Sequence, residues 1–180
     1  MAIVVVGGSG RNAGKTSLVC GLIAALPEFR WTAAKITSHA HGERDAVREE
    51  TAAGQDTDTA RYLAAGARRA FLVTAVEEKL PIAEIQAAIG SDTNLIFESN
   101  RMLSGLGPNL RIGLIGGSGS ETKPSFESFL KRADALVMTA GRDLGGLMLP
   151  SSVKLFRLDR LGWISSETIE WVRARLNLAE

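Results

Sequence analysis

The stretch that most constrains this chain is Ile3-Val4-Val5-Val6-Gly7-Gly8-Ser9-Gly10-Arg11-Asn12-Ala13-Gly14-Lys15-Thr16, where an apolar run passes through a glycine-rich turn into a helical pattern. Four consecutive β-branched residues suit a strand covered on both faces in a parallel sheet. The glycines let backbone N–H groups turn inward, and a helix beginning near Gly14 points its positive end at the same place. An anionic phosphate satisfies both. Lys15 is placed to reach the β- and γ-phosphates of a nucleotide, and the Thr16 hydroxyl to ligate Mg²⁺. Gly10, Arg11, Asn12, Ala13, Gly14, Lys15, Thr16 and Ser17 are therefore the expected phosphate-binding set. Ser9 stands where the spacing G-x-x-x-x-G-K-[ST] has its first glycine, and Gly8 and Gly10 flank it to supply the turn. The alternative is a glycine-rich connection with an exposed lysine. The strand before it and the amphipathic helix after it favour the phosphate reading.

With 180 residues the chain is expected to form a single nucleotide-binding domain over 1–180, large enough to build its core without staples. Charge is balanced, 21 basic against 20 acidic residues, which leaves no electrostatic footprint for nucleic acid or an anionic membrane. The single cysteine, Cys20, excludes an intramolecular disulfide and a multi-cysteine zinc site, and reads as a small buried residue. The opening apolar run is too short to span a membrane and lacks a basic leader, so a cytoplasmic location is expected.

Beyond the loop, Leu18, Leu22 and Leu26, with Val19 and Ile23 beside them, form the stripe of a helix packed on a sheet, ended by Pro27. A second strand is expected from Phe29 to Ile36, delivering Lys35, Thr37, Ser38, His39 and His41 to a ligand-facing loop. Residues 40–56 are rich in charge and read as a mobile surface segment, either a switch or lid or a solvated and partly helical excursion. Asp56-Thr57-Asp58-Thr59 supplies N-cap chemistry for a short helix closed by Gly66. Strands follow at 70–74, 94–97, 111–115, 135–139 and 153–158, with helices after Pro81, after Lys123-Pro124-Ser125 and from Ser165 or Ser166. The fold class is α/β: a three-layer phosphate-loop (P-loop) NTPase fold with a mostly parallel sheet of six or seven strands and helices on both faces.

The strand Asn94-Leu95-Ile96-Phe97 ends in Glu98-Ser99-Asn100. A carboxylate at the end of an apolar strand can hold Mg²⁺ or its water ligand, which makes Glu98 the acidic candidate. Gly116-Gly117-Ser118-Gly119-Ser120 echoes Gly7-Gly8-Ser9-Gly10 without the following Gly-Lys-Thr, and reads as a loop near the same sheet edge. Ala140-Gly141-Arg142-Asp143 occupies the place where GTPases of this fold carry Asn-Lys-x-Asp; Arg142 or the backbone is left to meet the base, and guanine versus adenine stays open.

Four segments together resemble the molybdopterin-guanine dinucleotide biosynthesis proteins of the MobB type, members of the SIMIBI branch of P-loop NTPases. They are SGRNAGKTSL, KITSHAHG with its lysine followed by histidines, DTDTARYLAAGA, and IFESN. The resemblance covers roughly the first hundred residues in order. It implies binding of GTP, or of ATP, with Mg²⁺, and weak hydrolysis in which GTP is favoured. It also implies a role with molybdenum cofactor biosynthesis proteins, as a homodimer. Carried over by position, Lys15, Asp58 and Glu98 would be the catalytic set, and Thr16, Asp58 and Glu98 the metal set.

Two other functions are compatible with the sequence. One is an ATP-dependent ligase or kinase resembling dethiobiotin synthetases, with a second pocket built by Arg101 and the loop from Gly116 to Lys123. The other is a metallochaperone-like switch using His39 and His41 with Glu43 or Asp45, a weak two-histidine signal.

Overall fold

The structure is a computed structural model, and it describes residues 1–38, 46–75, 80–101, 106–116, 122–144, 146–158 and 164–177. Eight strands form one sheet: β1 (Ala2–Gly8), β2 (Thr32–Thr37), β3 (Val47–Glu50), β4 (Arg69–Thr74), β5 (Asn94–Glu98), β6 (Leu110–Ile115), β7 (Ala135–Thr139) and β8 (Lys154–Leu158). Among the described residues five helices accompany them: α1 (Lys15–Ala25), α2 (Asp58–Ala64), α3 (Ile82–Ile89), α4 (Pro124–Leu130) and α5 (Ser166–Asn177).

The strand order is β3-β4-β2-β5-β1-β6-β7-β8, and only β3 runs antiparallel to its neighbour. β1 and β6 are neighbours whose onward connections diverge, from β1 toward β2 on one side and from β6 toward β7 on the other. The carboxyl end of β1 is therefore the switch point at which open α/β sheets bind their ligands.

Alternation along β1 divides the core. Val4 and Val6 pack with Leu18, Leu22 and Ile23 of α1, Tyr62 of α2 and Val172 of α5. Ile3 and Val5 face the opposite way and pack with Ile85 of α3 and Phe126 and Phe129 of α4. Each of these side chains is almost wholly out of water, and burial of one contributes about 1.5–3 kcal/mol. The three-layer α/β class read from the sequence is present.

The sheet has eight strands where six or seven were expected. The additional one lies inside the 40–56 stretch read as an irregular mobile segment, where Val47–Glu50 instead forms the edge strand β3. A sequence carrying Arg48, Glu49 and Glu50 lacks the apolar alternation that marks a strand, but charge suits an exposed edge. Arg69 of β4 holds Glu49 through a forked pair of 2.7 and 2.8 Å. Glu50 accepts the Thr57 and Thr59 hydroxyls at 3.0 Å each, tying the edge to the start of α2. His39, His41, Glu43 and Asp45 lie outside the described residues.

The second strand starts three residues later than expected. Pro27–Phe29 forms a single 3₁₀ turn, Arg30 takes a left-handed φ of 50°, and Trp31 anchors the corner by donating from its ring nitrogen to Leu26 O at 3.0 Å. Helix ends match their sequence signals better. Thr57 caps α2 by accepting from Ala60 N at 3.0 Å, and Ser165 accepts from Thr168 N at 3.2 Å.

Candidate functional site: a phosphate loop and its acid cluster

The turn from β1 into α1 is shaped by two strained positions. Asn12 has φ of 60° and Gly14 has φ of 98°, and asparagine and glycine are the residues that tolerate this region best. Gly14 precedes α1 with no side-chain cap, and the first helical turn carries no acidic residue. The N-terminal N–H groups of α1 are therefore left for an anion. Lys15 Nζ donates to Gly10 O at 2.9 Å, which folds its ammonium back over the loop.

Ser9 is accommodated because its place in the loop does not require positive φ; among the described non-glycine residues only Asn12 and Arg30 have it. Its side chain is buried, donating to Gly116 O at 3.3 Å and facing Gly116 N at 3.4 Å. Gly116 has no room for a side chain, since a Cβ there would stand 2.2 Å from Ala13 O. The second glycine-rich segment thus begins as a packing surface for the phosphate loop, and 117–121 lie outside the described residues.

Behind the loop, four elements bring their side chains together. In the sheet register Glu98 of β5 stands between Val6 of β1 and Lys35 of β2. Glu98 is buried; its Oε2 accepts the Thr16 hydroxyl at 2.7 Å and the Tyr62 hydroxyl at 2.5 Å. Its Oε1 lies 3.5 Å from Lys35 Nζ. Lys35 also donates to Asp58 Oδ2, and Asp58 Oδ1 lies 3.6 Å from Arg61 Nη1. Arg61 in turn reaches Ser17 Oγ at 3.4 Å.

These contacts set the proton affinities. Burial holds Lys15 below the ordinary lysine range although Glu98 pulls the other way. At Lys35 burial also opposes the charge, but Glu98 and Asp58 outweigh it and raise the pKa. Burial of Asp58 would favour its neutral form, yet the Lys35 hydrogen bond and charge prevail and hold its carboxyl below the usual range. Tyr62 is pushed well above the usual phenol value by burial and then by the charge of Glu98.

The structure brings most of the expected phosphate-binding residues and both acids together here. Arg11, Asn12, Ala13, Gly14, Lys15, Thr16 and Ser17 line a cavity of about 490 Å³ together with Lys35, Asp58, Arg61 and Glu98. Gly10 contributes the carbonyl that holds Lys15. Arg142 lines neither this cavity nor the one beside it. Lys35 and Tyr62 are central and were not singled out from the sequence as site residues. Lys35 stood out there only as part of a strand-end motif, and Tyr62 only as one residue of the short helix in DTDTARYLAAGA. Among the described residues no cluster of three or more His, Cys, Asp and Glu side chains is poised for a metal ion. The oxygen donors present are two carboxylates and the Thr16 hydroxyl, a hard set that suits Mg²⁺ completed by waters and phosphate oxygens.

A strand passing through a phosphate loop into a helix at the switch point of a parallel sheet, with a lysine and a hydroxyl opening that helix, defines the fold of the P-loop NTPases. Solved structures agree. The chain is similar to a MobB protein homolog from Bacillus stearothermophilus, with TM-score 0.51 and 14% identity over 99% of both chains. It is also similar to LpxK from Aquifex aeolicus, solved in complex with ATP, with TM-score 0.55 and 17% identity; 87% of this chain matches 53% of that one, so it spans about half of LpxK. No protein-family model and no curated protein matches the sequence. The resemblance carried by the four sequence segments is thus met by a solved MobB homolog along the whole length of the chain, at the level of the fold. Among the described residues no helix is long and apolar enough to cross a membrane.

Proposed function

We propose that this chain is a Mg²⁺-dependent nucleoside triphosphate-binding protein with slow hydrolysis, favouring GTP and serving as an adaptor to molybdenum cofactor biosynthesis proteins. The observation that carries the nucleotide reading is the meeting of an uncapped helix N-terminus, Lys15, Thr16 and Glu98 at one cavity. The phosphates would lie on the backbone donors of 10–17, with Lys15 neutralising their charge. Thr16 would hold Mg²⁺ directly, with Glu98 and Asp58 as its carboxylate support. When bound, the ion neutralises charge on the phosphates and polarises them toward displacement.

Slow turnover follows from the state of the acids. Asp58 is engaged by Lys35 and its pKa is lowered, so it is a weak base toward an attacking water. The preference for GTP and the cofactor pathway are supported by the sequence resemblance and by the MobB homolog, while the ATP complex of LpxK keeps adenine as the competing base. The test is calorimetry with GTP and ATP in the presence of Mg²⁺. GTP is expected to bind more tightly, and Lys15→Ala to weaken it by about 100-fold or more, the scale of a lost charge-assisted contact. The thermal midpoint should be unchanged or raised, because burial disfavours the Lys15 charge in the folded protein. Equal binding of both nucleotides removes the GTP assignment; binding indifferent to Lys15→Ala removes the site.

A further inference from the structure

Two cavities meet at Lys15 and Lys35, and the phosphate loop accounts for one. The other, about 520 Å³, opens toward Arg101 and Lys123, which do not line the first. Among the described residues five cationic side chains, Arg11, Lys15, Lys35, Arg101 and Lys123, face it, against the single carboxylate of Glu98. That carboxylate is already engaged by Thr16, Tyr62 and Lys35. Among the described residues, Arg101 and Lys123 at the far end of the cavity therefore meet no carboxylate of their own.

Arg101 shows this most directly: its Nη1 is buried and has no hydrogen-bond partner among the described residues. A charged donor removed from water without an acceptor is costly, about 1–3 kcal/mol or more, and Arg101 lines the cavity, where its guanidinium stands next to the space an anion would fill. The surrounding backbone holds this arrangement in place. Asn100 exchanges two hydrogen bonds with the backbone of Gly8 at 2.7 and 2.9 Å, and Arg101 N donates to Ser99 Oγ at 2.9 Å. Lys123 N donates to Ser9 O at 3.1 Å, and Ser125 Oγ lies 3.3 Å from Asn100 Nδ2. Both cations are thus presented from segments fastened to the end of β1. The charge of Lys123 is felt at Lys15, where it adds to burial in disfavouring the protonated form.

We propose that this cavity is a second substrate site that takes a small molecule bearing a phosphate monoester, gripped by Arg101 and Lys123 beside the phosphate loop. A dianion matches a forked guanidinium next to a mobile ammonium, and a concave site in a chain of net charge +1 selects a small molecule over nucleic acid. As a site for a second substrate it rests on the nucleotide reading above, with the nucleotide in the neighbouring cavity.

The experiment is calorimetric titration of phenyl phosphate into the protein, both nucleotide-free and saturated with a non-hydrolysable GTP analogue and Mg²⁺, with benzoate as the monoanionic control. With the nucleotide site filled, one equivalent of phenyl phosphate is expected to bind, and more tightly than benzoate; the nucleotide-free protein is expected to take it at the phosphate loop as well. Lys123→Gln and Arg101→Gln should each weaken it by about tenfold or more while leaving nucleotide affinity within about threefold. Lys123 is exposed, so its variant remains decisive if Arg101→Gln fails to fold. The proposal is overturned if phenyl phosphate does not bind once the nucleotide site is filled, is matched by benzoate, or ignores Lys123→Gln. If the nucleotide fails to bind while phenyl phosphate binds through Lys123, the loop reading falls and the anion site stands.

Discussion

The phosphate loop and the acid cluster behind it share Thr16, yet they are built by different means. The loop comes from consecutive residues, and its working groups are backbone N–H donors, one lysine and one hydroxyl. The cluster draws Lys35 from β2, Asp58 and Tyr62 from α2 and Glu98 from β5, and every contact within it is between side chains. A region made of backbone tolerates a side-chain change that keeps its φ/ψ, as Ser9 illustrates. A region made of side chains depends on each partner, because burial has already removed the water that could replace it.

That contrast predicts a ranking of stability effects. Glu98→Ala should cost the most, about 3 kcal/mol in urea unfolding, since it strips Lys35 of a buried counter-charge and Tyr62 and Thr16 of their acceptor. A loss below about 1 kcal/mol would mean that water fills the gap and that the cluster is not held by its partners. Tyr62→Phe removes one buried hydrogen bond and is expected to cost about 1–2 kcal/mol, with nucleotide affinity kept within a few-fold.

Asp58→Asn sharpens the comparison through pH. The folded pKa of Asp58 lies below its unfolded value, so its contribution is present above the unfolded pKa of about 3.9 and is lost as pH falls through the folded value. Asp58 is 30% exposed, so the cost at neutral pH should be modest, about 0.5–1 kcal/mol. The gap between wild type and variant should close below about pH 4; a gap that persists in acid would assign the effect to packing instead. Ser9→Gly is the smallest change expected. It gives up two long hydrogen bonds to Gly116 and adds chain entropy to the unfolded state, for less than about 1 kcal/mol. Nucleotide affinity should stay within about twofold. A large loss of affinity would show that the Ser9 side chain, and not the backbone alone, shapes the loop.

Much of the fold was legible because it is written in local pattern. The β-branched run of β1, the Leu18-Leu22 stripe, the Thr57 cap and the Pro124 start of α4 each carry their own signal within a few residues. β3 was not legible, because its stability comes from pairing with β4 and from the Arg69–Glu49 contact, which its charged sequence does not announce. The site divides in the same way. Lys15, Thr16 and the loop around them belong to one motif, and Glu98 could be picked out as an acid ending an apolar strand.

The sequence by itself determined the α/β class, the phosphate loop and the acid at the end of β5, since each depends on residues close together in the chain. Only the tertiary structure decided that Lys35 lies beside Glu98 and that Tyr62 closes over it. The physical reason is the strand order: β5 enters the sheet between β1 and β2, and the neighbours it creates there are separated by tens of residues in the chain.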